Sequence, residues 1–331
     1  MYDFQLEKYS GSKSRFICPS CGIKNKFTRY INIDTNEYLG ETVGRCDRES
    51  SCGYHYTPKE YCNDNVINYH KPSLIIKPSI VQPPIDYMSF DAVKRSMYEF
   101  DTSNFAIWLI SLFGESIAKK ALLKYHVGRS KLDNGKANIF WRIDINSKVR
   151  TGKIMYYNPI IGKRNKKQTP TWTHVQLKPF NLRLCFFGEH LLKEYQNSSI
   201  GIVESEKTAI IASIYYPEYI WLATGGASGC KWREYSVYNV LKNRNVVLFP
   251  DFGFYNRSKG ITCFQEWSKR GSEISEIPNF KIKVNSLLED VTDESERVND
   301  YDLADFLVKR DEQTGIALTD NNYPFMWDNY H

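Results

Sequence analysis

Four of the eight cysteines stand in two pairs near the start of the chain, CPSC (Cys18, Cys21) and CDRESSC (Cys46, Cys52). A two-residue gap lets both sulfurs of a tight knuckle face one ion, and Gly22 follows for the turn. The 24 residues between the pairs read as a hairpin. Phe27, Tyr30 and Ile31 lie on one arm, DTNEYLGE supplies the turn, and Thr42 and Val43 lie on the other. Two knuckles joined in this way make a zinc ribbon, in which four thiolates close a tetrahedron around a structural Zn²⁺. The second pair is spaced more widely than the first, so His55 in CGYHY stands as a reserve ligand. Disulfides are the competing reading. The start, MYDFQLEKYSGSKSRF, has no apolar signal segment, so a cytoplasmic chain with reduced thiols is expected. Cys62, Cys185, Cys230 and Cys263 lack ligand spacing and read as buried apolar residues.

Beyond this module, 331 residues leave room for two or three domains. Hydrophobic content of 42% with 25% charged residues is ordinary globular material. No apolar run approaches the roughly 18 to 20 residues that span a membrane, so no membrane partner is expected. The net charge of +6 conceals segregation. Residues 129–178 hold twelve Lys and Arg against Asp133 and Asp144, and residues 286–312 hold ten Asp and Glu against Arg297, Lys309 and Arg310. A basic stretch and an acidic one together suit a polyanion-binding surface and a metal-holding pocket.

The spacing of elements suggests four parts. Residues 1–70 form the zinc ribbon, and the proline-rich segment over 71–85 is an extended tether. Residues 86–198 form a basic α+β region. It opens with helices over SFDAVKRSMYEF and NFAIWLISLFGESIAKKALLKY, whose Trp108, Leu109, Leu112 and Phe113 face a core. Short strands follow at NIFWRIDI, IMYYNP and LRLCFFGEH, with the basic loop IIGKRNKKQTP among them. Residues 199–331 alternate strands and helices: GIVE, a helix, YIWLATGG, a helix from Trp232 to Leu241, NVVLFPD, a helix near Phe264 to Arg270, FKIKV, and a last helix in DYDLADFLVKR. Alternation of this kind predicts a mostly parallel sheet flanked by helices.

Acids punctuate that alternation. The β-branched run Ile200, Ile202, Val203 ends on Glu204, and Val246 to Phe249 ends on Pro250 and Asp251. Open α/β sheets place their ligands at these carboxyl ends. A third group, Asp300, Asp302 and Asp305, falls within the segment of the last helix, with Asp302 and Asp305 expected to share an exposed face. Carboxylates held close together repel unless a cation neutralises them, and Mg²⁺ or Mn²⁺ suits such a set and phosphate chemistry. In the basic stretch, Arg142, Arg150, Lys153, Lys163, Arg164, Lys166 and Lys167 lie near Phe140, Trp141, Tyr156, Tyr157 and Trp172. Cations can hold a phosphate backbone while aromatics stack on unpaired bases. The bland alternative is a solvated loop beside core aromatics.

This pattern resembles TOPRIM domains, in which a glutamate ends one strand and an Asp-rich turn ends a later one. VESEKTA is similar to the glutamate motif of primase-like proteins of phages and mobile elements. The order of zinc ribbon, basic region and acid-bearing sheet resembles bacterial replicative primases. The resemblance implies a TOPRIM core, with Glu204 as the first-motif acid, Asp251 as the first acid of D-x-D, and Asp300, Asp302 or Asp305 as further catalytic or Mg²⁺-binding residues. It implies single-stranded DNA and nucleoside triphosphates as substrates, with Lys207 joining the nucleic-acid contacts, and a replicative helicase as a partner in DNA replication. One departure is plain. The second D-x-D acid would stand at Gly253. A non-catalytic DNA-binding accessory factor and a metal-dependent nuclease therefore stand beside Mg²⁺-dependent nucleotidyl transfer. No P-loop motif occurs, so unwinding is not expected from this chain.

Overall fold

The computed structural model describes residues 4–33, 35–48, 51–65, 84–226, 229–299 and 301–314. The chain divides into two compact units, residues 1–82 with 253–266, and residues 83–252 with 267–331. Asp300 and nearly all of the segment read as a tether (71–85) lie outside the described residues.

In the first unit the expected hairpin is present: Phe27–Asn32 pairs antiparallel with Gly44–Cys46, with Phe27 opposite Cys46. Two strands that periodicity did not suggest, Phe4–Leu6 and His55–Tyr56, extend it to a four-stranded sheet. Phe27 is fully buried among the cysteines, so this small module has little apolar core beyond its ligand-bearing residues. The helix Pro58–Asp64 follows, closed by a capping box in which the Thr57 side chain accepts from the Glu60 amide and the Glu60 carboxylate accepts from the Thr57 amide. Residues 253–266 contribute a second hairpin, Phe254–Asn256 with Ile261–Thr262. The Asn256 side chain donates to the Gly53 carbonyl at 3.4 Å.

The second unit carries two sheets. Val127–Arg129, Asn138–Ile143, Val149–Met155 and Thr171–Trp172 form an antiparallel sheet in sequence order. Its strand Asn138–Ile143 is buried on both faces, which accounts for a sequence with little alternation. Phe140 and Trp141 are therefore core, and the Trp141 indole donates to Ser96 Oγ at 2.8 Å. The other sheet is wholly parallel, in the order Ile220–Ala223, Ile200–Val203, Asn245–Leu248, Lys281–Val284. The helix Glu206–Tyr215 joins the first two strands in sequence and packs against the helices Glu115–Lys124 and Leu303–Thr314.

Three elements differ from expectation. LRLCFFGEH is not a strand: it makes one bridge, Phe187 to Ala223, and runs into a short 3-10 helix, Glu189–Lys193. Side chains satisfy its backbone instead, since Arg142 Nη1 donates to the Cys185 carbonyl and the Glu189 carboxylate accepts from the Phe186 amide. The helix read from Trp232 starts only at Tyr235 and passes into a 3-10 turn over Asn239–Leu241, while Trp232 packs on Trp267 with centroids 5.3 Å apart. Asp302 and Asp305 do not share an exposed face. Asp302 is 8% exposed, because it precedes the last helix and turns inward toward Lys207. Among the described residues, no helix is long and apolar enough to cross a membrane.

Candidate metal centre and candidate active site

Local backbone geometry brings the cysteines together. The Cys18 amide donates to the Ile23 carbonyl and the Gly22 amide to the Cys18 carbonyl, which folds the first knuckle. Cys46 ends a strand, and the Cys52 amide donates to the Arg48 carbonyl, which draws Cys52 back toward the end of that strand. The ligand atoms of Cys18, Cys21, Cys46 and Cys52 all lie within 4.8 Å of one another, and the Cys18 and Cys52 sulfurs are 3.7 Å apart. A zinc tetrathiolate with bonds of about 2.3 Å has S–S edges of about 3.8 Å, so the donor set fits Zn²⁺. A disulfide needs about 2.05 Å, and all eight cysteines are free thiols. The Ile23 amide holds the Cys21 thiol down to about 7, whereas burial pushes Cys18 and Cys46 up. His55 is not in this group; its Nε2 meets the Tyr30 hydroxyl at 2.8 Å.

The second site lies at the carboxyl edge of the parallel sheet. Glu204 follows Ile200–Val203 and Asp251 follows Asn245–Leu248, and these strands are hydrogen-bonded neighbours. Strand order reverses between them, which opens a crevice in folds of this class. The Gly225 and Gly226 amides both donate to the Glu204 carbonyl, at 2.7 and 3.1 Å, and fix its backbone. Beyond Asp251, the Phe252 amide donates to the Tyr301 carbonyl at 2.7 Å, which draws Asp302 toward the same edge.

From Ser205, which caps the helix Glu206–Tyr215, successive side chains enter two charge clusters. Glu206 is fully buried, with Arg142 Nη2 on Oε1 and Lys153 Nζ 3.0 Å from Oε2. Burial pushes its carboxyl up, but Lys153 and Arg142 outweigh that and hold it down to about 2. Arg142 Nη1 also donates to the carbonyls of Cys185 and Ala223. At Gly225, with φ of 91°, a Cβ would collide with Arg142 Nη2, so only glycine admits the guanidinium. Lys207 turns the other way. Its Nζ lies 3.4 Å from Asp305 Oδ1 and 3.7 Å from Asp302 Oδ2. Burial opposes its charge, but Asp302, Asp305 and Asp251 hold the ammonium above its ordinary value. Asp302 is further engaged: Oδ2 accepts from Thr208 Oγ1 and Oδ1 from the Asp305 amide, each at 2.8 Å. Burial, then Asp302, push the Asp305 carboxyl up against the pull of Lys207.

The basic residues divide into two sets. Arg142, Arg150 and Lys153 are directed inward, with Arg150 Nε 2.8 Å from Asp144. Lys163, Arg164, Lys166 and Lys167 are exposed on one loop. That loop is well anchored. The Asn158 amide donates to Lys163, Gly162 to Asn158 and Asn165 to Tyr156, and Gly162, at φ of 61°, lies against Trp108. Tyr156 and Trp172 are half-buried, unlike Phe140 and Trp141. Sequence reasoning missed Glu206 as an organiser and Thr208 as the partner of Asp302. The only signal for Thr208 was its Ser205-x-x-Thr spacing at a helix start.

Two family models match. One, a zinc beta-ribbon finger, covers residues 2–67. The other, a domain of unknown function (DUF6371), covers residues 103–252. The amino-terminal module is a zinc ribbon. No curated protein matches the sequence. Among solved structures, the chain is similar to the primase fragment of the bacteriophage T7 primase-helicase protein at 13% identity, covering 82% of this chain and 88% of that one, with a TM-score of 0.36. It is similar to the DnaG catalytic core at 10% identity over 67% and 74% of the chains (TM-score 0.41). For the zinc-binding and RNA polymerase domains of the Aquifex aeolicus primase the figures are 14% identity, 77% and 69%, and 0.35.

Proposed function

We propose that this protein is a primase-like nucleic-acid enzyme that binds single-stranded DNA and joins nucleotides with Mg²⁺ or Mn²⁺, in the replication of a phage or mobile element. The observation that carries this reading is the placement of Glu204 and Asp251 at the ends of adjacent parallel strands where strand order reverses. Hard carboxylate donors at that edge suit a divalent ion, with Glu204 buried and Asp251 half-buried. Such an ion would neutralise a triphosphate and favour ionisation of a primer hydroxyl. The chain's own residues do the rest. Lys163, Arg164, Lys166 and Lys167 hold the phosphate backbone on a fixed loop, and Tyr156 and Trp172 offer ring faces to unpaired bases. The zinc ribbon of residues 1–70, the basic region 86–198 and the acid-bearing region 199–331 act as template-binding, strand-holding and chemical parts.

A second reading has its own support. Gly253 stands where a second D-x-D acid would be, and among the described residues only the four cysteines gather tightly enough for three or more ligand atoms to share an ion. A DNA-binding accessory factor without catalysis would need nothing more. Purified protein incubated with single-stranded DNA, labelled nucleotides and Mg²⁺ or Mn²⁺ separates the readings. Labelled oligonucleotide products support the first, cleavage alone supports a nuclease, and binding with neither supports the accessory factor.

A further inference from the structure

A lysine in the first turn of a helix opposes the helix dipole, and a buried lysine loses its hydration. Lys207 does both: it follows Glu206, the first residue of its helix, and its side chain is 14% exposed. Its position is compensated by carboxylates from a helix start almost a hundred residues away, Asp302 and Asp305. Asp251 also acts on its charge. The ammonium thus stands among acids that sequence alone would assign to metal ions.

We propose that the Lys207 ammonium is a resident cation of this acidic edge: it occupies Asp302 and Asp305 and confines divalent binding to Glu204 and Asp251, so that the edge takes one divalent ion instead of two. This rests on the metal-dependent reading above and deepens it. Three facts agree. Both Asp302 oxygens already accept hydrogen bonds from within the fold. A lysine cannot leave as a hydrated ion does, so its charge is permanent there. Asp302 and Asp305 then serve as positioning residues that hold Lys207 and the last helix, and do not touch substrate.

The test is Mn²⁺ binding to the full zinc-loaded chain, read by electron paramagnetic resonance and calorimetry in moderate salt. Wild type is compared with Lys207→Met and Lys207→Arg. Removing one positive charge beside the acids should raise Mn²⁺ affinity by about tenfold or more, or add a second bound ion. Lys207→Arg should behave as wild type. Lys207→Gln serves as a second variant should methionine disturb folding, which circular dichroism and melting monitor. Unchanged stoichiometry with affinity within about twofold in both neutral variants overturns the proposal. The two readings fail separately. A wild type that binds no Mn²⁺, with a neutral variant that binds one, keeps Lys207 as the resident cation but overturns the one-ion site at Glu204 and Asp251, and with it the metal-dependent function. Nucleotide synthesis by wild type, with Mn²⁺ binding unaltered in the variants, does the reverse.

Discussion

Glu206 and Arg142 form a buried pair whose removal on one side leaves the other charge stranded, and breaking such pairs typically costs about 3–5 kcal/mol. Glu206→Gln should therefore destabilise the second unit by several kcal/mol, measured by urea unfolding at pH 7. Lys94→Ala, which breaks an exposed pair with Asp91, should change nothing measurable. The pH dependence has a definite sign. A carboxyl held at about 2 in the fold, against an ordinary value of 4.5, stabilises above pH 4.5 and loses that contribution as pH falls toward 2. Acid unfolding of the wild type should show this loss, and Glu206→Gln should lack that component. Little of this was legible in the sequence. Arg142 stood among other cations and read as a phosphate ligand, but its partner is 64 positions away and only the fold closes that distance. Glu206 stands in the first turn of its helix, where a negative charge is favoured, while its larger role depends on Lys153 and Arg142 arriving from another sheet.

Elements were more legible where their cause is local. The cysteine knuckles bind through spacing and turn geometry, so the ribbon and its hairpin could be read directly. The edge strands Phe4–Leu6 and His55–Tyr56 could not, because three- and two-residue strands carry no periodic signal. The hairpin at 254–262 has the same difficulty. The ribbon has so small an apolar cluster that metal must replace a core. Metal analysis should find one zinc per chain. Chelation or Cys46→Ser should abolish the folded signal of this module, followed by proteolysis of residues 1–67, whereas Cys62→Ala should keep zinc in place. The basic loop is a second element with a local cause, since backbone hydrogen bonds and Gly162 fix it without its cations. Changing Lys163, Arg164, Lys166 and Lys167 together to alanine should leave melting unchanged and weaken single-stranded DNA binding regardless of sequence. The slope of log affinity against log salt should shrink by roughly 0.7 for each phosphate that is no longer neutralised. An unaltered slope would make the loop an ordinary solvated surface.

At the scale of the molecule, the parallel sheet was legible because each buried run was followed by a helix, and the strand ends displayed their acids. What those acids do together depends on charge balance, which no single motif carries. Glu204→Gln keeps shape and removes one charge, so it separates chemistry from binding. If Glu204 and Asp251 hold the divalent ion, nucleotide synthesis should fall by orders of magnitude in Glu204→Gln and in Asp251→Asn, since metal stabilisation contributes several kcal/mol at the transition state. Single-stranded DNA binding through the exposed loop should persist in both, and melting should stay near the wild type. Asp302→Ala should behave differently. It removes the acceptor for Thr208 and the Asp305 amide, so its activity loss should come with a lower melting temperature and a loosened last helix. A fall in activity without any fall in stability would instead make Asp302 a metal ligand. A wild type that neither synthesises nor cleaves with any divalent metal, while binding DNA normally, would leave the sheet edge a structural relic and the protein a DNA-binding factor.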